Sequence, residues 1–174
     1  MRAWRSGLRL GAALAWLAII VLGRVGVRGG PPERLVAPVA DCVAALVQGL
    51  LRWTGIDAAR AGARLFIPGA FGYEVGIGCT GLLPAAVLAL AMLATPATPA
   101  ARWRGVALGI PLVLAVNLLR LVHLFYLGVY RPGLFAPAHT VVWEAAIVFT
   151  TFATWLVWSR WAAVQRRATS PESS

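Results

Sequence analysis

Apolar residues along this chain gather into long runs, and the charged positions fall mostly between them. Leu10–Leu22 carries no charge and follows Arg2, Arg5 and Arg9. That order resembles the n-region and h-region of a signal peptide, but no small-x-small cleavage site follows before Arg24, Arg28 and GGPPE. The pattern predicts an uncleaved membrane helix over 8–27, long enough to span. Residues 35–53 are apolar but striped, with Asp41, Gln48 and Arg52 close to one helical face. Such a helix either spans or lies in the interface plane, and Asp41 favours the interface because a carboxylate is costly in hydrocarbon.

Residues 54–78 are the least apolar internal stretch. ARLFI and FGYEVGI flank Pro68-Gly69-Ala70, and Tyr73, Val75 and Ile77 alternate with Glu74, Gly76 and Gly78. Alternation around a Pro/Gly turn predicts a small β-hairpin. It belongs outside the bilayer core, where open sheet edges are not tolerated. Three further apolar helices are expected at 80–94, 106–127 and 141–158, separated by TPATPAARWR and YRPGLFAPAH. Residues 161–174 are expected to form a cytoplasmic tail that ends without order. The predicted fold is therefore a single all-α integral membrane domain of 4–5 transmembrane helices, with an extracytoplasmic β-hairpin before Cys79.

Composition supports a membrane protein. Of the 174 residues, 60% are hydrophobic and 13% charged, against about 45–50% and about 25% in soluble domains. The net charge of +10 comes from arginine alone, since the chain has no lysine. These arginines edge the apolar runs, so the charge reads as membrane topology and not as a nucleic-acid surface. Their count does not choose between an N-terminus inside with four spans and one outside with five. Both arrangements put the 95–104 linker and the tail inside, and so place Cys79 and His139 on the extracytoplasmic face. Two cysteines, Cys42 and Cys79, are too few for a disulfide scaffold or a cysteine-only zinc site. No metal or organic cofactor is expected.

Four polar features stand out. Cys79 in GIGCTGLLP sits where a membrane helix begins, so backbone N–H groups would favour its thiolate, and Gly78 and Gly81 would admit a substrate backbone. The bland alternative is a small residue in a glycine-rich bend. Arg120 lies deep in NLLRLVHLFYLG, where an arginine costs at least about 2.5 kcal/mol and needs an anion, a carbonyl or a wet cavity. A structural ion pair with Glu144 would also satisfy it. His139 in PAHTVVWE opens the last helix and suits a general acid or base. His123 competes for that role, because Asn117, Arg120 and His123 recur at three-residue spacing as one polar stripe. A thiol, a guanidinium and an imidazole at one membrane face fit nucleophilic acyl transfer.

The run GCTGLLP, then NLLR, then AH at the head of a final helix, resembles the exosortase/archaeosortase family over about residues 40–160. The resemblance implies a membrane cysteine transpeptidase in short form, with Cys79 as nucleophile, Arg120 as the arginine of N-x-x-R and His139 as the histidine. Ala138 stands where the family often has an acid, which makes Glu144 a candidate orienter of His139; Glu74 is a further acid near the cysteine. The implied substrates are exported proteins ending in a motif, an apolar helix and a basic tail. The implied place is the cell membrane, among lipid and without nucleic acid. A non-catalytic membrane subunit or small transporter, with Arg120, Glu144 and Asp41 in a buried polar network, is the competing reading.

Overall fold

The computed structural model describes residues 33–168; the helix expected over 8–27 lies outside them. Helix α1 (Glu33–Trp53) is followed by strands β1 (Ala59–Ala61), β2 (Arg64–Ile67) and β3 (Phe71–Glu74), and by a 3-10 turn at Ile77–Cys79. Then come α2 (Leu82–Ala94), α3 (Pro99–Tyr130), the short α4 (Pro132–Pro137), a π turn at Ala138–Val142 and α5 (Trp143–Ala168). The protein is mostly helical. Among the described residues, Pro99–Tyr130 and the continuous Pro132–Ala168 are long and apolar enough to cross a membrane, while Leu82–Ala94 is apolar but shorter.

Several helices are longer than the sequence suggested, and proline explains two of their starts. Pro99 and Pro132 fall in segments expected to separate the helices, yet each occupies a first-turn position, where a missing N–H costs nothing. Thr98 caps α3, its hydroxyl oxygen accepting from Ala101 N at 3.3 Å. The helix expected at 106–127 thus runs from 99 to 130, and the one expected at 141–158 reaches Ala168. Residues 161–168, expected in the tail, are helical.

The hairpin is a three-stranded antiparallel sheet in the order β1-β2-β3, with Ala59 opposite Phe66 and Leu65 opposite Tyr73. Gly69, at φ +74°, makes the turn between β2 and β3. Strand β1 was missed because three residues, two of them alanine, give no alternation to read.

Helix α3 runs through two separate cores. At one end Leu121 and Phe125 pack with Ala44, Val47 and Leu51 of α1 and with Leu65 and Val75 of the sheet region. The buried line Ala40, Ala44, Val47, Leu51 follows helical spacing on α1, while Leu46, Leu50 and Trp53 stay exposed on the same helix. At the other end Ala101 and Val113 pack with Leu88, Ala91 and Met92 of α2 and with Trp155, Trp158 and Ala162 of α5. Gly128 gives Phe71 its seat on α3, because a Cβ there would run into the Phe71 ring. Gly105 does the same for the Trp158 indole.

Candidate functional site

The first core ends in the turn that carries Cys79. Cys79 N donates to the Gly76 carbonyl at 2.8 Å, closing the 3-10 turn. The Thr80 hydroxyl donates to the Ile77 carbonyl at 2.8 Å. Gly81 then takes φ +78° as the N-cap of α2. A Cβ at Gly81 would lie 3.0 Å from Asn117 Nδ2 and 3.1 Å from Leu114 Cδ2. Its glycine is therefore needed for close approach to α3, not for a substrate backbone as the sequence suggested. Gly78 is exposed, with open space around it.

Asn117, 2% exposed, donates from Nδ2 to the Cys79 carbonyl at 2.8 Å. That bond pins the cysteine backbone to α3. One turn on, Arg120 is also 2% exposed and donates from Nη2 to Glu144 Oε1 at 2.6 Å. Its Nε is buried without a partner among the described residues. His139 Nε2 lies 3.7 Å from Cys79 Sγ, a distance that suits a loose contact to sulfur before substrate tightens it. The structure thus brings Cys79, His139, Arg120, Glu144 and Asn117 to one place.

The π turn shapes this convergence. His139 and Glu144 are five residues apart, which a regular α-helix would splay by about 140° at 100° per residue. A π turn accommodates the extra residue, and His139 reaches Cys79 while Glu144 reaches Arg120. Such bulges often mark functional sites. The His139 ring stacks on Phe135, centroids 5.9 Å apart and planes within 16°. Glu144, expected as a candidate orienter of His139, spends its contact on Arg120 instead, and the stacked Phe135 ring is what holds the imidazole.

His123 does not join. Three-residue spacing drifts around a helix, leaving Asn117 and His123 about 120° apart after two steps. His123 is exposed on α3 and its Nδ1 accepts from Trp143 Nε1 at 2.9 Å. Glu74 is exposed on β3 and makes no side-chain hydrogen bond or ion pair among the described residues, its backbone register being with Arg64. Cys42 and Cys79 are both free thiols. Among the described residues no three of His, Cys, Asp and Glu gather as a metal-ligand set.

Sequence reasoning missed Tyr73 and Phe135. The Tyr73 hydroxyl donates to the Leu121 carbonyl at 3.0 Å, and its ring contacts Phe71, Phe125 and Phe135. The signal for Tyr73 was the alternation that put it on the strand face of buried Val75. For Phe135 it was the four-residue spacing to His139.

Electrostatics differ from the sequence expectation. Cys79 precedes the first residue of α2, Leu82, by three positions, so it is not within the helix start. Burial pushes its thiol above the ordinary range; the Arg120 charge pulls it back, the Glu144 carboxylate raises it further, and a backbone hydrogen bond at Gly76 lowers it. Burial, the largest of these influences, thus favours the thiol over the thiolate. Burial likewise raises the Tyr73 phenol, with Cys79 adding to the rise and Arg120 opposing it. Both groups are therefore within electrostatic range of Arg120.

Residues 3–142 match the family model described as Transmembrane exosortase (Exosortase_EpsH). The matched stretch contains Cys79, Asn117, Arg120 and His139, and stops two residues before Glu144. Neither a curated protein nor a solved structure matches the chain.

Proposed function

The chain belongs to the transmembrane exosortase family and is a membrane protein, and from that premise we propose that it is a cysteine transpeptidase or protease acting on exported proteins. The observation that carries the reading is the 3.7 Å approach of His139 Nε2 to Cys79 Sγ, with buried Arg120 in range of the sulfur. The substrates are proteins whose C-terminal sorting helix lies in the membrane beside α3 and α5, with the scissile peptide at the extracytoplasmic surface. The arginine-bearing stretch at 95–104 and the C-terminal tail would face the cytoplasm.

Neutral His139 accepts the Cys79 proton at Nε2 as the sulfur attacks the scissile carbonyl carbon. The developing oxyanion takes hydrogen bonds from the Arg120 guanidinium. The C–N bond breaks, the leaving amine takes the proton from His139, and a Cys79 thioester remains. An incoming amine or water attacks that thioester, gives its proton to His139, and restores the thiol. Asn117 fixes the Cys79 backbone, so the sulfur stays aligned through both steps. Cys79→Ala is expected to abolish processing of a tagged substrate without lowering the membrane level of the enzyme. Retained processing would overturn the assignment.

The Arg120–Glu144 pair also supports a second reading, a non-catalytic membrane subunit or transporter built around that polar network. Under it, Cys79→Ala leaves function intact and Glu144→Ala does not.

A further inference from the structure

Glu144 has no step in the proposed chemistry, yet it supplies the one carboxylate paired with Arg120 among the described residues. The two ends of the pair differ: the Arg120 side chain is 3% exposed and that of Glu144 54%. Nη2 is engaged and Nε is not. We infer that Glu144 is a positioning residue: its carboxylate is the resting counter-ion that holds the buried Arg120 guanidinium in register with Cys79. The inference rests on the transpeptidase reading of Cys79 and Arg120.

An arginine at this depth without a counter-charge is costly, and a lone long side chain would also sample several rotamers. One short hydrogen bond from a helix facing α3 removes both problems. Because Glu144 is half-exposed, a substrate carbonyl can draw the guanidinium without first breaking a sealed pair. Cys79 is faced by Tyr73 from β3, Arg120 from α3, His139 from the π turn and Glu144 from α5, together with the backbone at Gly76. Glu144 and Arg120 act on the sulfur with opposite signs. Removing the carboxylate charge therefore favours the thiolate, by deleting the repulsion and leaving the Arg120 charge uncompensated beside the sulfur.

The test uses the full chain carrying Cys42→Ser in isolated membranes, with iodoacetamide alkylation of Cys79 followed across pH beside processing of a tagged substrate. Glu144→Gln is expected to move the alkylation profile to lower pH and speed alkylation several-fold at neutral pH, while kcat/KM for processing falls. In an Arg120→Gln background the same substitution should shift the profile less. A profile superimposable on the parent's, or an undiminished shift without Arg120, overturns the inference. If Glu144→Gln fails to accumulate, Glu144→Asp keeps the charge one methylene farther back; it should leave the profile in place and cut processing several-fold, and unaltered processing overturns the inference. Processing that survives Cys79→Ala would instead defeat the underlying reading, so the two failures are distinct.

Discussion

The two ends of α3 bury polar groups in different ways. At the end near Gly105 the buried groups are mostly neutral and satisfied. Trp155 Nε1 donates to the Thr95 hydroxyl at 3.0 Å, and that hydroxyl donates onward to the Ala91 carbonyl at 2.7 Å. Trp158 Nε1 donates to the Ala101 carbonyl at 2.9 Å. At the end near Gly128, beside buried and satisfied Asn117 and Thr80, lie charged or reactive groups with capacity in reserve: a buried arginine with an unpartnered Nε, a half-buried thiol, and a half-buried imidazole 3.7 Å from sulfur. Arg102, at the first end, also leaves its Nε unpaired, but its contact is the Thr95 carbonyl at 3.5 Å, not an acid. Burial of polar atoms alone therefore does not mark a site. What marks it is unused donor capacity beside a nucleophile and a proton acceptor.

The sharpest way to break this contrast is one substitution made at both ends. Lysine keeps the charge of arginine but loses the planar fork of donors. Arg120→Lys is expected to lower kcat by about 10²-fold, the size of effect seen when one oxyanion donor is removed. Arg102→Lys should leave kcat within experimental error. Equal losses at both positions, measured by substrate processing per enzyme molecule in membranes, would mean that Arg120 only holds the fold.

Two glycines provide the next comparison. Gly105→Ala drives a methyl into the Trp158 indole, and Gly128→Ala drives one into the Phe71 ring. Overpacking of this kind costs roughly 1–3 kcal/mol. Both variants should melt earlier in detergent. Only Gly128→Ala should also slow processing, because Phe71 and Tyr73 share the strand that leads into the Cys79 turn. A Gly105→Ala enzyme with the same catalytic defect would show that the two cores are not independent.

These ends were unequally legible in the sequence. Cys79, Arg120 and His139 stood out because polar groups in apolar runs are costly and must be answered by something. The Arg120–Glu144 pair was readable as an alternative for the same reason. The π turn was not, since a single added residue in a helix is settled by what packs against it and leaves no period of its own. The helix ends were misjudged at Pro99 and Pro132, where proline starts a helix as readily as it stops one. Glu144 as orienter of His139 followed from the alanine at 138 where the family often has an acid, and the carboxylate pairs with Arg120 instead. Tyr73 was visible only as a face of a strand; what lay across from that face depends on Leu121, far along the chain.

A smaller effect tests the electrostatics of the site end. The Cys79 thiol is held above its ordinary value by burial, so the folded state binds this proton more tightly than the unfolded chain. Its contribution to stability is complete below the unfolded thiol pKa and is lost as pH rises through the folded one. The melting temperature should therefore fall at alkaline pH, and Cys79→Ala should flatten that fall. Alkylation of Cys79 should accelerate across the same window. Fast alkylation already at mildly acidic pH would indicate a resting thiolate and contradict the burial argument.

The smallest expected effect separates a ring from its hydroxyl. Tyr73→Phe removes the donor to the Leu121 carbonyl but keeps the ring contacts with Phe71, Phe125 and Phe135. Because Leu121 lies inside α3, its carbonyl also belongs to the helix ladder and is not orphaned by the change. The loss should be one neutral hydrogen bond, about 0.5–1.5 kcal/mol, with processing close to the parent's. Tyr73→Leu deletes the ring as well, leaving Phe135 short of one of its aromatic neighbours, and Phe135 is the ring on which His139 stacks. Processing should fall clearly more in Tyr73→Leu than in Tyr73→Phe at matched membrane levels. If instead Tyr73→Phe alone disabled the enzyme, the phenol would be acting on the reacting atoms, and the strand would belong to the chemistry as well as to its support.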